Sequence, residues 1–254
     1  MEYILKKSLG QHFLKDENVC IKIVNELKQH PFINLLEVGP GGGALTKYFL
    51  KLPEIHFKAV ELDLGKVEYL ESTYPEIKGK ITPKSFLDID PPFENEFTVV
   101  GNFPYNISTQ ILFRILEWKE KVPVMVGMFQ KEVAERAASK EGNKVYGILS
   151  VLVQAFFTVE YLFDVDPACF TPPPKVMGGV IRLVRRNHVP EMKSEKAFFN
   201  LVKTAFNQRR KTLRNAVRGL FTEEELKDEL FNKRAEVLSV NDFAALTFRM
   251  KQFN

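Results

Sequence analysis

A run of glycines at the end of an apolar stretch constrains this chain more than any other feature. Leu35-Leu36-Glu37-Val38 reads as a strand, and Gly39-Pro40-Gly41-Gly42-Gly43-Ala44 carries it into a helix from Ala44 to Leu52. Glycines at such a junction let the backbone approach a ligand closely and turn without a Cβ clash. No Gly-Lys-Ser/Thr follows, so a P-loop is excluded. Gly39-x-Gly41-x-x-Ala44 fits the dinucleotide fingerprint, and Glu61, at the end of the next strand, can accept hydrogen bonds from a ribose diol. A structural turn with no ligand is the plain alternative.

The turn sits in an alternating pattern. Phe57–Glu61 reads as a second strand followed by a helix over Val67–Tyr74, and Ile81–Lys84 and Phe97–Val100 read as a third and a fourth. A helix over Ser108–Trp118 leads to a fifth strand, Val122–Phe129, and helices are expected at Gln130–Ala138 and Tyr146–Phe157. Thr171-Pro172-Pro173-Pro174-Lys175 can be neither helix nor inner strand, because three prolines remove three donors. Val176–Val184 is a late strand. Beyond it the pattern turns helical, at Glu195–Asn207, Arg209–Leu220, Glu223–Leu230 and from Val240. This is an α/β chain with a mostly parallel sheet and a small all-helical C-terminal domain, divided into residues 1–186 and 187–254.

Charge follows the same division. Residues 186–254 hold 14 basic and 9 acidic residues, a net of +5, whereas residues 1–185 carry a net of −1. The later part therefore suits a polyanion. Cys20 and Cys169 make no CxxC pair, and no Cys/His cluster has zinc spacing, so neither a disulfide framework nor a structural metal is expected. Lys6 and Lys7 interrupt any signal-peptide pattern, and the longest apolar stretch, residues 145–159, contains Gln154 and is too short to span a bilayer. A cytoplasmic protein is expected.

Asn102-Phe103-Pro104-Tyr105, closing the fourth strand, separates the cofactor classes. The Asn102 side-chain oxygen and the carbonyl near Pro104 can each accept a hydrogen bond from an exocyclic amine, and Tyr105 offers a face for a purine. An ordinary strand end with a Pro turn is the bland alternative. A dehydrogenase needs an acid/base partner at its hydride site, and His12, His30, His56 and His188 form no such arrangement. Amine methylation from S-adenosylmethionine suits the turn better than hydride transfer to NAD.

The residues resemble the rRNA adenine N6,N6-dimethyltransferases, specifically the bacterial small-subunit type. The resemblance runs through Leu9-Gly10-Gln11-His12-Phe13-Leu14, Glu37-Val38-Gly39-Pro40-Gly41, Glu61-Leu62-Asp63 and Gly101-Asn102-Phe103-Pro104-Tyr105-Asn106-Ile107-Ser108. It continues through Gln130–Arg136, Tyr146–Val151, Phe170-Thr171-Pro172-Pro173-Pro174-Lys175-Val176 and Ala205–Thr212. It implies a class I (Rossmann-like) methyltransferase with a seven-stranded sheet and a reversed final hairpin. It implies S-adenosylmethionine held by His12, Leu14, Gly39, Gly41, Glu61, Leu62 and Asn102. The catalytic set expected is Asn102, Pro104, Tyr105 and Phe170, with the target adenine between Tyr105 and Phe170; ordinary packing is the alternative for Phe170. Where the family has an Asp that contacts the cofactor adenine, this chain has Ser85, which can hydrogen-bond but lacks the charge-assisted component; Asp88 is offset by three residues. The implied reaction is dimethylation of two adjacent adenines in the 3′-terminal hairpin loop of 16S rRNA within the immature 30S subunit, by a monomer with no metal and no membrane contact.

Arg210, Arg214 and Arg218 recur every four residues beside Arg209 and Lys211, which on a helix puts a guanidinium stripe suited to phosphates along one face; the acids lie elsewhere, in Glu223-Glu224-Glu225, so the stripe is locally unneutralised, and a solvated helix face is the plain alternative. Lys6, Lys7 and Lys15 are further candidate contacts. Two rivals share features of this reading: the large-subunit rRNA methyltransferase of macrolide-type resistance, and an assembly factor that binds immature subunits with methylation incidental.

Overall fold

The computed structural model describes residues 12–208 and 210–251. Its order opens with β1 (Phe13–Leu14), α1 (Glu17–Lys28), β2 (Asn34–Val38), α2 (Thr46–Phe49), β3 (His56–Val60), α3 (Leu64–Thr73) and β4 (Ile81–Thr82). Next come β5 (Thr98–Asn102), α4 (Ser108–Glu117), β6 (Val124–Gln130), α5 (Lys131–Ala138), α6 (Ile148–Phe156), β7 (Phe157–Val165), β8 (Phe170–Thr171) and β9 (Gly178–Arg185). The chain ends in α7 (Glu195–Phe206), α8 (Leu213–Ala216) and α9 (Val240–Leu246). Contacts divide it into two compact units. The first runs to Ala134 and resumes over Thr158–Arg185; the second is Glu135–Phe157 with the chain from Arg186 onward. The linear reading left residues 135–157 with the first domain.

In the first unit seven strands stand in the order β4-β3-β2-β5-β6-β9-β7. The pairs β2–β3, β2–β5, β3–β4 and β5–β6 are parallel, and β9 runs antiparallel to β6. The central strands are apolar on both faces, as expected of strands covered on both sides. Leu35, Val100, Val126 and Val180 join one core cluster with Ile23 and Leu27 of α1. Their neighbours Leu36, Val99, Met125 and Ile181 are buried too and, with the period of two, face the other side. Helix α1 was absent from the sequence reading although its signals are complete. Asp16 caps it by accepting from Asn18 N and Val19 N, and Cys20, Ile23, Val24 and Leu27 form its buried stripe.

The order change between β2 and β5 matters most for function. β3 departs to one side of β2 and β5 to the other, so a crevice opens beyond the carboxyl ends of these strands. The glycine turn and the Asn102 turn both lie there.

In the second unit α7 buries Phe198, Leu201, Val202 and Ala205, and Ser194 caps it by accepting from Ala197 N. Tyr146 is fully buried and donates to the Leu238 carbonyl at 3.0 Å. Gln154 Nε2 donates to the Ala137 and Ser139 carbonyls. Two expectations are corrected in the later sequence, and one strand is added. The helix expected over Arg209–Leu220 shrinks to α8 and a 3₁₀ turn at Arg218–Leu220, since Leu213 N bonds outward to the Lys233 carbonyl and Gly219 offers no helical support. The helix expected over Glu223–Leu230 is two 3₁₀ turns, Glu225–Lys227 and Glu229–Asn232. Strand β7 follows α6 with no intervening residue, so no turn signal announced it.

Candidate active site

The glycine turn is built on backbone conformations that side chains resist. Gly39 and Gly43 have φ of +68° and +82°, and a Cβ on Gly43 would lie 2.6 Å from the Tyr74 ring. Gly39 N donates to the Val60 carbonyl at 2.9 Å, tying the turn to the end of β3. Glu61, one residue beyond β3, accepts from Gly41 N at 3.2 Å and from Asp63 N at 3.0 Å. Lys66 Nζ stands 3.8 Å from the same carboxylate. The acid is thus held at the rim of the turn.

The Asn102 turn is built differently. Asn102 ends β5, and its Nδ2 donates to the His12 carbonyl at 3.4 Å, which leaves Oδ1 to accept. The carbonyl of Pro104 accepts from Ile107 N at 3.3 Å and from Ser108 Oγ at 3.4 Å. The Phe103 carbonyl, immediately before Pro104, is the other backbone acceptor of this turn. Tyr105 is half-buried, and its hydroxyl has no hydrogen-bond partner among the described residues. Burial pushes that hydroxyl up to about 12, so it stays protonated.

An arm from the N-terminal side crosses both turns. Phe13 and Leu14 pair with Thr171 and Phe170 in the β1–β8 ribbon, and His12 Nδ1–H donates to the Pro172 carbonyl at 2.8 Å. The Phe13 ring lies over Gly41 and Gly42. The proline run thereby anchors the arm that reaches Asn102. Leu9, Gly10 and Gln11 lie outside the described residues, as do Lys6 and Lys7.

These pieces enclose one cavity of about 200 Å³. His12, Leu14, Gly39, Gly41, Glu61, Leu62, Ser85, Asn102, Pro104, Tyr105 and Phe170 all line it. A model of the family described as "Ribosomal RNA adenine dimethylase" matches residues 4–251. The chain belongs to that family. A protein of Cytophaga hutchinsonii named "Ribosomal RNA small subunit methyltransferase A" is 50% identical over 246 residues, 95% of each chain. One of the same name from Flavobacterium johnsoniae is 49% identical over 250 residues, 97% of this chain and 95% of its own. Among solved structures, a dimethyladenosine transferase from Plasmodium falciparum is similar at a TM-score of 0.76 and 23% identity, covering 91% of this chain and 94% of its own. The 23S rRNA methyltransferase ErmE is similar at 0.73 and 21%, covering 94% and 100%. Both share the fold.

The protein is therefore an rRNA adenine N6,N6-dimethyltransferase using S-adenosylmethionine, and the cavity's donor set fits that cofactor. A carboxylate at the end of β3 suits a ribose diol, exposed Leu62 supplies an apolar surface, and the glycine turn leaves room for a ligand backbone. Ser85 caps the 3₁₀ turn Phe86–Asp88, its Oγ accepting from Leu87 N at 3.1 Å. One of its acceptor positions is thus already engaged. Asp88 is exposed and outside the cavity.

The sequence reading assigned no role to Glu37. It lies beneath the dimethylase's glycine turn, 1% exposed, accepting from Thr46 Oγ1 at 2.7 Å. Burial, with Glu61 nearby, pushes its carboxyl up to about 8, so it is mostly neutral at pH 7. A Glu inside an otherwise apolar strand was the available signal. Lys66 was missed as well, having no motif of its own.

The basic segment needs a different description from the expected one. Arg210, Lys211 and Arg218 are exposed and Arg214 is half-buried, but α8 spans only Leu213–Ala216, so no single helix aligns them. Arg214 Nε donates to the Leu226 carbonyl at 2.8 Å. Arg218 pairs with Glu223 at 3.2 Å, which corrects the expectation of a locally unneutralised stripe. Arg209 lies outside the described residues. Among the described residues no His/Cys/Asp/Glu group could hold a metal ion, and no helix is long and apolar enough to cross a membrane.

Proposed function

We propose that the chain dimethylates N6 of two adjacent adenines in the 3′-terminal hairpin loop of 16S rRNA, acting in the cytoplasm, as a monomer, on the immature 30S subunit. The names carried by relatives at about half identity over nearly the whole chain support the small-subunit assignment. The single observation carrying the chemistry is Asn102, its amide nitrogen tied to the His12 carbonyl and its oxygen left to accept at the cavity.

When bound, S-adenosylmethionine supplies an electrophilic methyl group. The chain's own residues do the rest. Gly39, Gly41, Glu61, Leu62 and Ser85 would hold the cofactor, with His12 and Leu14 covering it. An adenine turned out of its stack would enter against Tyr105, since stacking on an aromatic face offsets the lost base stacking; Phe170, 2% exposed and packed in the core cluster, lines the cavity without an open ring face. Asn102 Oδ1 and a backbone carbonyl of the Phe103-Pro104 turn accept hydrogen bonds from the N6 amine and so orient the nitrogen lone pair. Alignment of this kind supplies several kcal/mol of a barrier. No side-chain base is needed, because the amine becomes acidic only after methylation and loses its proton to water. Tyr105, held neutral, serves as a surface. Arg210, Lys211, Arg214 and Arg218, with Arg209, are the proposed phosphate contacts.

The test is labelled-methyl transfer to undermethylated small subunits, mature small subunits and large subunits in parallel. Transfer confined to the undermethylated small subunit, mapped to the 3′-terminal hairpin, is the expected result. Transfer to large-subunit RNA would overturn it, and tight binding without transfer would favour the assembly-factor reading.

A further inference from the structure

Gly127 stands in the middle of β6, a strand buried from Val124 to Phe129. A glycine there weakens a strand and marks a close approach by something else. What approaches is the Phe103 ring. A Cβ on Gly127 would lie 2.0 Å from Phe103 Cε2 and 2.7 Å from Cδ2, contacts no side chain tolerates. Across the parallel register Gly127 faces Gly101. A Cβ on Gly101 would meet Phe103 Cε1 at 2.9 Å and the Val38 carbonyl oxygen at 2.5 Å. Phe129 closes a third side, its ring centroid 4.7 Å from that of Phe103. The Phe103 ring is 1% exposed, seated in a socket that only two glycines leave open.

We infer that this socket positions the catalytic turn, with Phe103 as the positioning residue and Gly127 as the residue that makes room for it. The inference rests on the assignment of Asn102 to the target amine. Gly101 and Phe103 share one sheet face because side chains alternate along a strand, so Asn102 between them is turned to the other. Phe103 N donates to the Met128 carbonyl at 3.0 Å, carrying the β5–β6 pairing one residue beyond Asn102 before Pro104 starts the turn. Asn102 is thereby locked on both flanks, by Gly101 pressed against β2 and by a ring that cannot swing. The His12 carbonyl then fixes the carboxamide itself. A ring displaced from the socket would move the neighbouring backbone and shift Oδ1, while the glycine turn and Glu61, on other strands, keep their places.

The test is a size exchange, read as turnover on undermethylated small subunits and as S-adenosylmethionine affinity by calorimetry. Gly127→Ala should lower kcat by about tenfold or more, since small misplacements of a reacting group cost heavily. Cofactor affinity should hold within about threefold, because among the residues named for the cofactor only Asn102 is displaced. Phe103→Leu alone should lower kcat by a few-fold. In the Phe103→Leu background, Gly127→Ala should cost no more than about twofold, the non-additivity expected of a pair in contact. If Gly127→Ala does not fold, recovery of folded, active protein by the second change is the same rescue. Equal losses in both backgrounds, or no loss from Gly127→Ala, would overturn the inference. Asn102→Ala belongs in the same assay. If it leaves kcat untouched the Asn102 assignment itself fails, whereas a fall for Asn102→Ala without one for Gly127→Ala sinks the socket alone.

Discussion

Two loops at the same edge of the sheet bring backbone to a ligand by opposite means. After β2 the chain discards side chains and adopts positive φ at Gly39, Gly41 and Gly43. After β5 it has no positive φ, and an aromatic ring, a proline and a carboxamide hold it in place. The first loop makes room, and the second gives up its freedom to fix one atom. Binding a flexible cofactor requires space and a few donors and acceptors. Aligning an amine lone pair requires an acceptor that does not move.

If that division is right, the two loops respond differently to substitution. The largest expected effect is at Asn102: Asn102→Ala should lower kcat by about 100-fold, the usual size of removing one preorganised polar group, with cofactor affinity nearly unchanged. Single-turnover rates with calorimetry on the same preparation separate the two quantities. A loss mainly in affinity would make the two turns alike. Gly43→Ala, forced to keep φ at +82° against the Tyr74 ring, should instead weaken cofactor binding by about tenfold, roughly the 1–2 kcal/mol of such strain, and leave kcat at saturation largely intact.

Glu37 sharpens the comparison from beneath the first loop. Its carboxyl binds a proton more tightly in the folded protein, about 8 against 4.5. The associated stability is therefore fully present below pH 4.5 and is lost as the pH rises through about 8. Glu37→Gln should remove that loss, with melting temperatures of the two proteins diverging between about pH 4.5 and 8 by the equivalent of a few kcal/mol and running parallel above it. Parallel curves within that range would contradict a neutral buried carboxyl. The smallest effect is at Ser85. Ser85→Asp keeps an N-cap for Leu87 N and adds a charged acceptor, so S-adenosylmethionine should bind about fivefold tighter, worth ~1 kcal/mol.

The same two loops show what a sequence displays. Glycines after an apolar run and Asn-Phe-Pro-Tyr at a strand end are local, and their chemistry is readable from residue types alone. The structure collects Gly39, Gly41, Glu61, Asn102, Pro104 and Tyr105 around one cavity. The Phe103 socket was not readable, because Gly101 and Gly127 meet only through the register of two strands. Glu37 was visible as a residue, but its neutral carboxyl depends on burial. In the second unit an Arg every fourth residue imitated a helix, whereas Arg214 Nε donates to the Leu226 carbonyl and Arg218 pairs with Glu223 within short turns, each keeping further N–H groups for a phosphate. Strand β7 escaped notice because α6 runs straight into it. Local chemistry was legible; pairing across the fold was not.

The most direct test of the central claim is the chemical identity of the product. Undermethylated small-subunit RNA, reacted with S-adenosylmethionine and digested to nucleosides, should yield N6,N6-dimethyladenosine with wild-type protein and almost none with Asn102→Ala. Methyl groups on any other nucleoside, or undiminished dimethyladenosine from the Asn102 variant, would contradict the account.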